Sequence, residues 1–148
     1  MSDRVAILSG GGDAPGLNLC LKSLVHRLCE LGFEPIGVRK GWEGLINYNQ
    51  RDRSTYGGNF IELTKTMVRA IDRTSGSFLH SSRVNPSQTP RQRVPGFLRE
   101  PGAEIQDLTE HVQEAVEQLG FKTLIVIGSN DTLLEAAHFS QQGIPIIA

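Results

Sequence analysis

The sequence predicts an α/β domain of three layers, in which helices cover both faces of a parallel sheet. Predicted strands alternate with predicted helices along the chain, and a helical crossover is the usual connection between parallel strands. The predicted strands are also short, nearly continuous apolar runs, which is typical of strands that are buried on both faces. The 148 residues suit one domain, and we assign residues 1–148 to it.

The chain opens with a predicted strand, a glycine-rich loop and a helix. Residues 4–8 form the apolar run, residues 9–16 form the loop, and residues 17–31 carry apolar side chains at helical spacing. Proline is favoured at the first helical position and glycine just after the last. We therefore expect Pro15 to start this helix and Gly32 to end it.

The middle of the chain shows less periodicity. A second strand is predicted at residues 33–38, after which residues 39–60 read as irregular. Residues 64–74 are predicted to form a short helix and residues 76–79 a strand. Residues 81–102 contain four prolines, so we expect a long mobile loop there.

Regular patterns return in the last third. Helices are predicted at residues 107–119 and 131–142, and strands at residues 122–127 and 144–148. Ligands of open parallel sheets lie beyond the carboxyl ends of the strands. Because the last predicted strand has no loop after it, we expect the domain to be truncated at its C-terminus.

Composition and charge exclude some function classes. The formal net charge of −1 leaves no basic footprint for nucleic acid or for a membrane surface. No signal peptide and no apolar run of membrane-spanning length is apparent, so a cytoplasmic location is expected. Cys20 and Cys29 fall in one predicted helix about 13 Å apart, too far for a disulfide, and are predicted to be buried.

The first glycine-rich loop is a candidate phosphate site. Gly10, Gly11 and Gly12 let the backbone approach an anion closely, and the helix behind Asp13 presents free N–H groups. The spacing matches neither a Walker A loop nor the strict dinucleotide fingerprint. A tight structural turn is the alternative interpretation.

A second loop follows the most apolar predicted strand and therefore lies at the same edge of the sheet. It reads Gly128-Ser129-Asn130-Asp131-Thr132. Asp131 or Thr132 could cap the next helix. Asp131 could instead hold Mg²⁺, which prefers oxygen ligands beside phosphate.

Two further residues have both a functional and a structural interpretation. Arg83 carries a planar donor suited to phosphate oxygens, although a lone arginine in a loop is commonly a solvated charge. Trp42, the sole tryptophan, could stack on a ligand or pack over the edge of the sheet.

Four segments, in this order, resemble the phosphofructokinase family. They are residues 11–18 (Gly-Gly-Asp-Ala-Pro-Gly-Leu-Asn), 41–45 (Gly-Trp-Glu-Gly-Leu), 76–83 (Gly-Ser-Phe-Leu-His-Ser-Ser-Arg) and 127–132 (Ile-Gly-Ser-Asn-Asp-Thr). The resemblance covers nearly the whole chain, and residues 87–99 are the stretch without a counterpart. It implies the fold of the N-terminal domain of that family.

The resemblance also implies an activity, namely phosphoryl transfer to the 1-hydroxyl of fructose 6-phosphate from Mg-ATP or from pyrophosphate. Gly11 would then touch the donor phosphates, Arg83 would brace the transferring phosphoryl group, and Asn130 would be the Mg²⁺ ligand, with Asp131 beside it. The other residues expected at the donor site are Gly10, Gly12, Asp13, Gly128, Ser129 and Thr132.

Two details favour the pyrophosphate branch of the family. Residues 82–86 (Ser-Arg-Val-Asn-Pro) resemble its Ser-Arg-Thr-Asn-Pro segment. Asp131 stands where ATP users tend to have glycine, and its carboxylate would crowd and repel the α-phosphate of ATP. Pyrophosphate has no such group.

Other details argue against assigning the activity of the family to this chain. Ser129 replaces a glycine of the family and Asn130 replaces its usual aspartate. The family segment Thr-Ile-Asp-Asn-Asp, which supplies the aspartate that takes the sugar proton, has no counterpart here. We therefore expect no turnover by this chain alone, with a separately encoded C-terminal half or a homo-oligomer as its partner. A non-catalytic phosphate-binding module and a broken gene product are the alternatives.

Overall fold

The computed structural model describes residues 2–148 and, within them, seven strands. In chain order these are β1 (Arg4–Gly10), β2 (Glu34–Val38), β3 (Phe60–Glu62), β4 (Thr89–Pro90), β5 (Ile105–Gln106), β6 (Phe121–Gly128) and β7 (Ile146–Ile147). Five of them form the central sheet in the order β3-β2-β1-β6-β7, and β4 pairs with β5 separately. The pairs β1–β2, β1–β6 and β6–β7 are parallel, whereas β3 runs antiparallel to β2 at one edge.

Helices cover both faces of this sheet, as the sequence predicts. They are α1 (Leu17–Glu30), α2 (Trp42–Ile46), α3 (Tyr56–Asn59), α4 (Thr109–Leu119) and α5 (Asn130–Gln141). Side chains alternate along β1, so Val5 and Ile7 belong to the core under α1. Ala6 and Leu8 belong to the core that α2, α4 and α5 cover. The α/β prediction is confirmed, with a mixed rather than purely parallel sheet.

Helix α1 departs from prediction at both its start and its exposed face. It begins at Leu17 with Gly16 as its N-cap, so Pro15 lies in the preceding turn and the prediction for Pro15 was wrong. Gly32 follows the end of the helix with φ of +83°, as predicted. Cys20 is exposed and Cys29 half-buried, because the buried stripe of the helix is Leu21, Val25 and Leu28.

The middle of the chain holds more local structure than the sequence predicts. The α2 helix forms inside the predicted irregular stretch, and all five of its residues are buried. Residues 64–74 form turns and a short 3₁₀ helix (Ile71–Arg73) in place of an α-helix.

Residues 76–79 do not form the predicted strand. Their polar backbone groups bond to side chains instead, since the Asn18 Nδ2 donates to the Gly76 carbonyl at 2.7 Å and the Phe78 N–H donates to the Asn18 Oδ1 at 2.8 Å. Leu79 is 2% exposed and fills the core under α1 without any strand pairing.

The predicted mobile loop at residues 81–102 follows a defined hydrogen-bonded path. It contains three short 3₁₀ helices (Pro86–Gln88, Arg91–Arg93 and Gly96–Leu98) and the strand β4. The Arg91 guanidinium donates to the carbonyls of Glu100 and Ala103, which closes the end of the loop.

The last third agrees closely with prediction. α4 begins two residues later than predicted, where the Asp107 carboxylate accepts the Thr109 N–H at 2.9 Å. α5 begins one residue earlier, with Ser129 as its N-cap and no side-chain cap bond, so the capping prediction for Asp131 or Thr132 was wrong. No helix of residues 2–148 is long and apolar enough to cross a bilayer.

Candidate functional site

The sheet topology creates a crevice at the carboxyl ends of β1 and β6. The two strands are parallel neighbours whose last paired residues are Gly10 and Gly128. After β1 the chain turns to the face covered by α1, and after β6 it turns to the opposite face, where α5 packs. Such a reversal marks the place where open α/β sheets bind ligands.

The loop after β1 is joined to residues 77–82 by two hydrogen bonds. The Gly11 N–H donates to the Ser82 carbonyl at 3.0 Å, and Gly11 has a φ of +88°. The Asp13 Oδ1 accepts the Ser77 N–H at 3.2 Å. These bonds bring the residues that precede Arg83 to the same crevice as the loop.

Arg83 lies beside this loop with its side chain exposed. Its Nη2 atom is 3.4 Å from the point that a Cβ on Gly12 would occupy. Within residues 2–148 the guanidinium forms no ion pair with a carboxylate, so its donors are available to an anion. Arg83 and the glycine loop were predicted from separate segments, and the fold places them side by side.

The loop after β6 completes the other wall of the crevice. The Ser129 Oγ is 2.7 Å from the point that a Cβ on Gly11 would occupy, so the two loops touch here. The first N–H groups of an α-helix have no partner within the helix, and the Ser129 side chain supplies none to α5. A positive dipole end and free N–H groups therefore stand next to the glycine loop, an arrangement that suits phosphate.

Thr132 is buried beneath both loops. It is 3% exposed, and its Oγ1 lies 2.4 Å from the point that a Cβ on Gly10 would occupy. Its Cβ lies 2.7 Å from the corresponding point on Gly128. Any side chain at either glycine would displace Thr132, so the close contact of β1, β6 and α5 depends on glycine at both positions.

Asn130 and Asp131 stand in the first turn of α5 with exposed side chains. No group of three or more His, Cys, Asp or Glu side chains in residues 2–148 is arranged to hold a metal ion. Mg²⁺ commonly binds through one or two carboxylates together with substrate phosphates and water. The amide oxygen of Asn130 and the carboxylate of Asp131 are oxygen ligands of the type that Mg²⁺ prefers.

Trp42 packs inside the protein and has a structural role. It is 1% exposed, its ring lies 5.0 Å from that of Phe139 on α5, and its Nε1 donates to the Thr132 carbonyl at 3.4 Å. The packing alternative for Trp42 is confirmed, and its indole ring is not accessible to a ligand.

Sequence reasoning missed the part that Asn18 plays at this site. The side chain is 9% exposed and bridges the start of α1 to Gly76 and Phe78, just before the segment that leads to Arg83. Asn18 lies in the stretch of residues 11–18 that resembles the family, and this was the one signal that could have indicated its role. The sequence pattern does not distinguish Asn18 from its neighbours in that stretch.

Comparison with known proteins shows the family to which this chain belongs. The sequence model of the family described as Phosphofructokinase matches residues 4–148. A pyrophosphate–fructose 6-phosphate 1-phosphotransferase of Dictyoglomus thermophilum is 35% identical over 97% of this chain and 34% of its own length. An ATP-dependent 6-phosphofructokinase 3 of Streptomyces coelicolor is 33% identical over 97% of this chain and 35% of its own length. The chain therefore spans about a third of the length of these curated relatives.

Solved structures show the same fold. The phosphofructokinase of Pichia pastoris in the T-state superposes with a TM-score of 0.70 at 19% identity, over 96% of this chain and 14% of that chain. A pyrophosphate-dependent phosphofructokinase of Nitrosospira multiformis gives a TM-score of 0.66 at 13% identity, over all of this chain and 33% of that chain. With the family match across residues 4–148, these findings show that the chain belongs to the phosphofructokinase family.

Proposed function

We propose that this chain forms the phosphoryl-donor site of a phosphotransferase that acts on fructose 6-phosphate, with pyrophosphate preferred over ATP as donor. The observation that carries the proposal is the hydrogen bond from Gly11 to Ser82, which sets Arg83 beside the glycine loop. Backbone N–H groups, a helix N-terminus and a guanidinium then face one crevice, and each of them favours phosphate oxygens.

Each wall of the crevice has a role in this proposal. Gly10, Gly11, Gly12 and Asp13 form the loop that holds the terminal phosphate, and Arg83 stabilises the charge that spreads over the transferring phosphoryl oxygens. Gly128, Ser129 and Thr132 form the opposite wall. Such fixed donors need no reorganisation during the reaction, which is why they stabilise a transition state well.

Asn130 and Asp131 would hold Mg²⁺ against the donor phosphates. A bound Mg²⁺ supplies charge neutralisation between phosphate oxygens. An amide oxygen coordinates the ion more weakly than a carboxylate does, so Asp131 is the stronger ligand of the pair. The negative charge of Asp131 also disfavours ATP, which would bring a further phosphate and a nucleoside close to this carboxylate. The charge therefore favours pyrophosphate as the donor.

Calorimetric titration of the purified chain tests the proposal. Magnesium pyrophosphate should bind saturably, and Arg83→Ala should weaken binding by about 10–150-fold, the range for hydrogen bonds to charged groups. Arg53→Ala is the matched control, because Arg53 is also an exposed arginine and lies in a short 3₁₀ helix outside the crevice. No saturable heat with pyrophosphate or ATP, or equal effects of both substitutions, would refute the proposed site.

Turnover is measured separately from binding. The prediction that the chain alone makes no fructose 1,6-bisphosphate is tested by a coupled assay with fructose 6-phosphate and each donor. Product that depends on Arg83 would contradict the prediction of inactivity while supporting the proposed site.

A further inference from the structure

Residues 87–99 contact two buried carboxylates of the core. These belong to Glu43 on α2, which is 7% exposed, and Glu135 on α5, which is 8% exposed. Ser87 and Arg93 supply the contacts, one at each carboxylate. We call residues 87–99 the bracing segment.

The first contact joins the bracing segment to α5. The Ser87 hydroxyl donates to the Glu135 Oε1, while the Glu135 Oε2 is buried with no hydrogen-bond partner in the described part of the chain. Ser87 is thus the one side chain of residues 2–148 that donates to this carboxyl group. Its removal would leave a buried acceptor without a protein donor, which is costly.

The second contact joins the bracing segment to α2. The Arg93 Nη1 lies 3.4 Å from the Glu43 Oε1, and the Glu43 side chain is largely buried while that of Arg93 is 59% exposed. Glu43 directly follows Trp42, whose ring packs on Phe139 of α5. Both contacts therefore act on the pair of helices that meet over Thr132.

Thr132 connects these helices to the crevice. It lies three residues before Glu135, so the two side chains share one face of α5. Thr132 is the residue packed between Gly10 and Gly128, at the ends of β1 and β6. A shift of α5 at Glu135 would therefore move the residue that sets the spacing of the two phosphate loops.

The bracing segment has internal hydrogen bonds that allow it to act as a fixed support. The Arg99 guanidinium donates to the Val94 carbonyl at 2.9 Å, and Val94 itself is 1% exposed. The Arg91 N–H donates to the Glu104 carbonyl at 2.8 Å beyond the end of the segment. These bonds hold both ends of the stretch that carries Arg93.

We propose that the bracing segment is a positioning element for the phosphate crevice, acting through Ser87 on Glu135 and through Arg93 on Glu43. It holds α5 and α2 so that Thr132 keeps the loops after β1 and β6 at their observed spacing. Neither Ser87 nor Arg93 contacts the ligand in this proposal. Two experiments test this proposal. The pyrophosphate titration rests on the proposed function, whereas the hydrogen-exchange experiment does not.

Hydrogen exchange of the unliganded chain gives the first test. Ser87→Ala should accelerate exchange at residues 10–13 and 128–133, whereas Gln92→Ala, an exposed neighbour in the same segment, should leave those loops unchanged. Arg93→Gln is the second test variant. If Ser87→Ala does not fold, the same exchange measurement is made on Arg93→Gln. Faster exchange confined to residues 85–99, or raised equally across all strands, would show ordinary destabilisation and overturn the proposal.

Pyrophosphate titration gives the second test. Ser87→Ala should weaken binding by about 2–30-fold, the range for couplings that act through intervening residues, and Ser87→Thr should restore it because the hydroxyl returns. An unchanged dissociation constant in Ser87→Ala would overturn the proposal. If the wild-type chain binds no pyrophosphate, the proposed function fails, and the exchange experiment still decides the positioning role.

Discussion

The backbone N–H of Gly11 donates to the carbonyl of Ser82 at 3.0 Å, which joins two residues that are far apart in the sequence. This bond fixes the glycine loop against the segment that carries Arg83. It requires the backbone of Gly11 to hold a φ of +88°, a conformation that side chains of L-residues rarely adopt.

Gly11→Ala should therefore destabilise the chain by about 2–4 kcal/mol, from backbone strain together with contact between the new methyl group and Ser129. The added Cβ would lie 2.7 Å from the Ser129 Oγ. Urea unfolding followed by circular dichroism measures the loss. Gly32→Ala is the matched control, since Gly32 has a φ of +83° and open space around it. Equal losses in the two variants would argue against the contact with Ser129.

Asn18→Ala should cost about 2–4 kcal/mol, because it leaves the Gly76 carbonyl and the Phe78 N–H without their bonds. Leu19→Ala, at an exposed position on the same turn of α1, should cost much less. The measurement is the free energy of unfolding in urea. A loss no greater than that of Leu19→Ala would show that this bridge contributes little to the fold.

With the donor bound as proposed, Asp131→Asn should improve ATP binding by about 3–10-fold relative to pyrophosphate, because it would remove a negative charge near the α-phosphate while keeping the side-chain shape. Competing titrations of the magnesium complexes measure this ratio. Asp107→Asn is the charge-matched control outside the crevice. If Asp131→Asn changes both affinities by the same factor, Asp131 does not select the donor.

His111 should make stability depend on pH. Burial lowers the pKa of the imidazole below its ordinary value of about 6.5, although the Ile46 carbonyl, 3.0 Å from its Nε2, opposes this shift. Because the unfolded chain takes up the proton first, this contribution is complete above about pH 6.5 and is lost as the pH falls through the lower pKa of the folded state.

His111→Gln should flatten that dependence. The free energy of unfolding of both proteins is measured from about pH 8 to about pH 5, and the difference between them should diminish toward the acid end. The His80→Gln variant, altered at an exposed histidine, should keep the wild-type dependence because His111 is still present. A constant difference between wild type and His111→Gln across the range would contradict the lowered pKa.

Local sequence patterns predicted the main strands and helices that build the crevice. β1 and β6 are nearly continuous apolar runs, and α1 carries apolar side chains at helical spacing, so their positions follow from local sequence. α2 was missed because all five of its residues are buried, which leaves no polar face to reveal a helical period. The strand predicted at residues 76–79 failed because Asn18, distant in sequence, bonds to its backbone.

Only part of the candidate site could be predicted from the sequence, namely the part that follows from local sequence patterns. The glycine loop and the loop at residues 128–132 follow apolar strands, so their shared edge could be inferred from topology. The contact between Gly12 and Arg83 depends on the Gly11–Ser82 bond, and the burial of Thr132 depends on close packing of two strands with a helix. Neither relationship has a local signal, since both arise from tertiary packing.

The central position of β1 has a consequence for synthesis on the ribosome. β1 is translated before β6, which is one of its two neighbours in the sheet, and Arg4 hydrogen-bonds to Leu119 across 115 residues. At about 5–20 residues per second, the nascent β1 waits about 6–23 s for that partner. During that interval β1 can pair with β2 and pack against residues made before β6, such as Leu63, Val68 and Leu79, whereas its other edge stays unpaired until β6 is made.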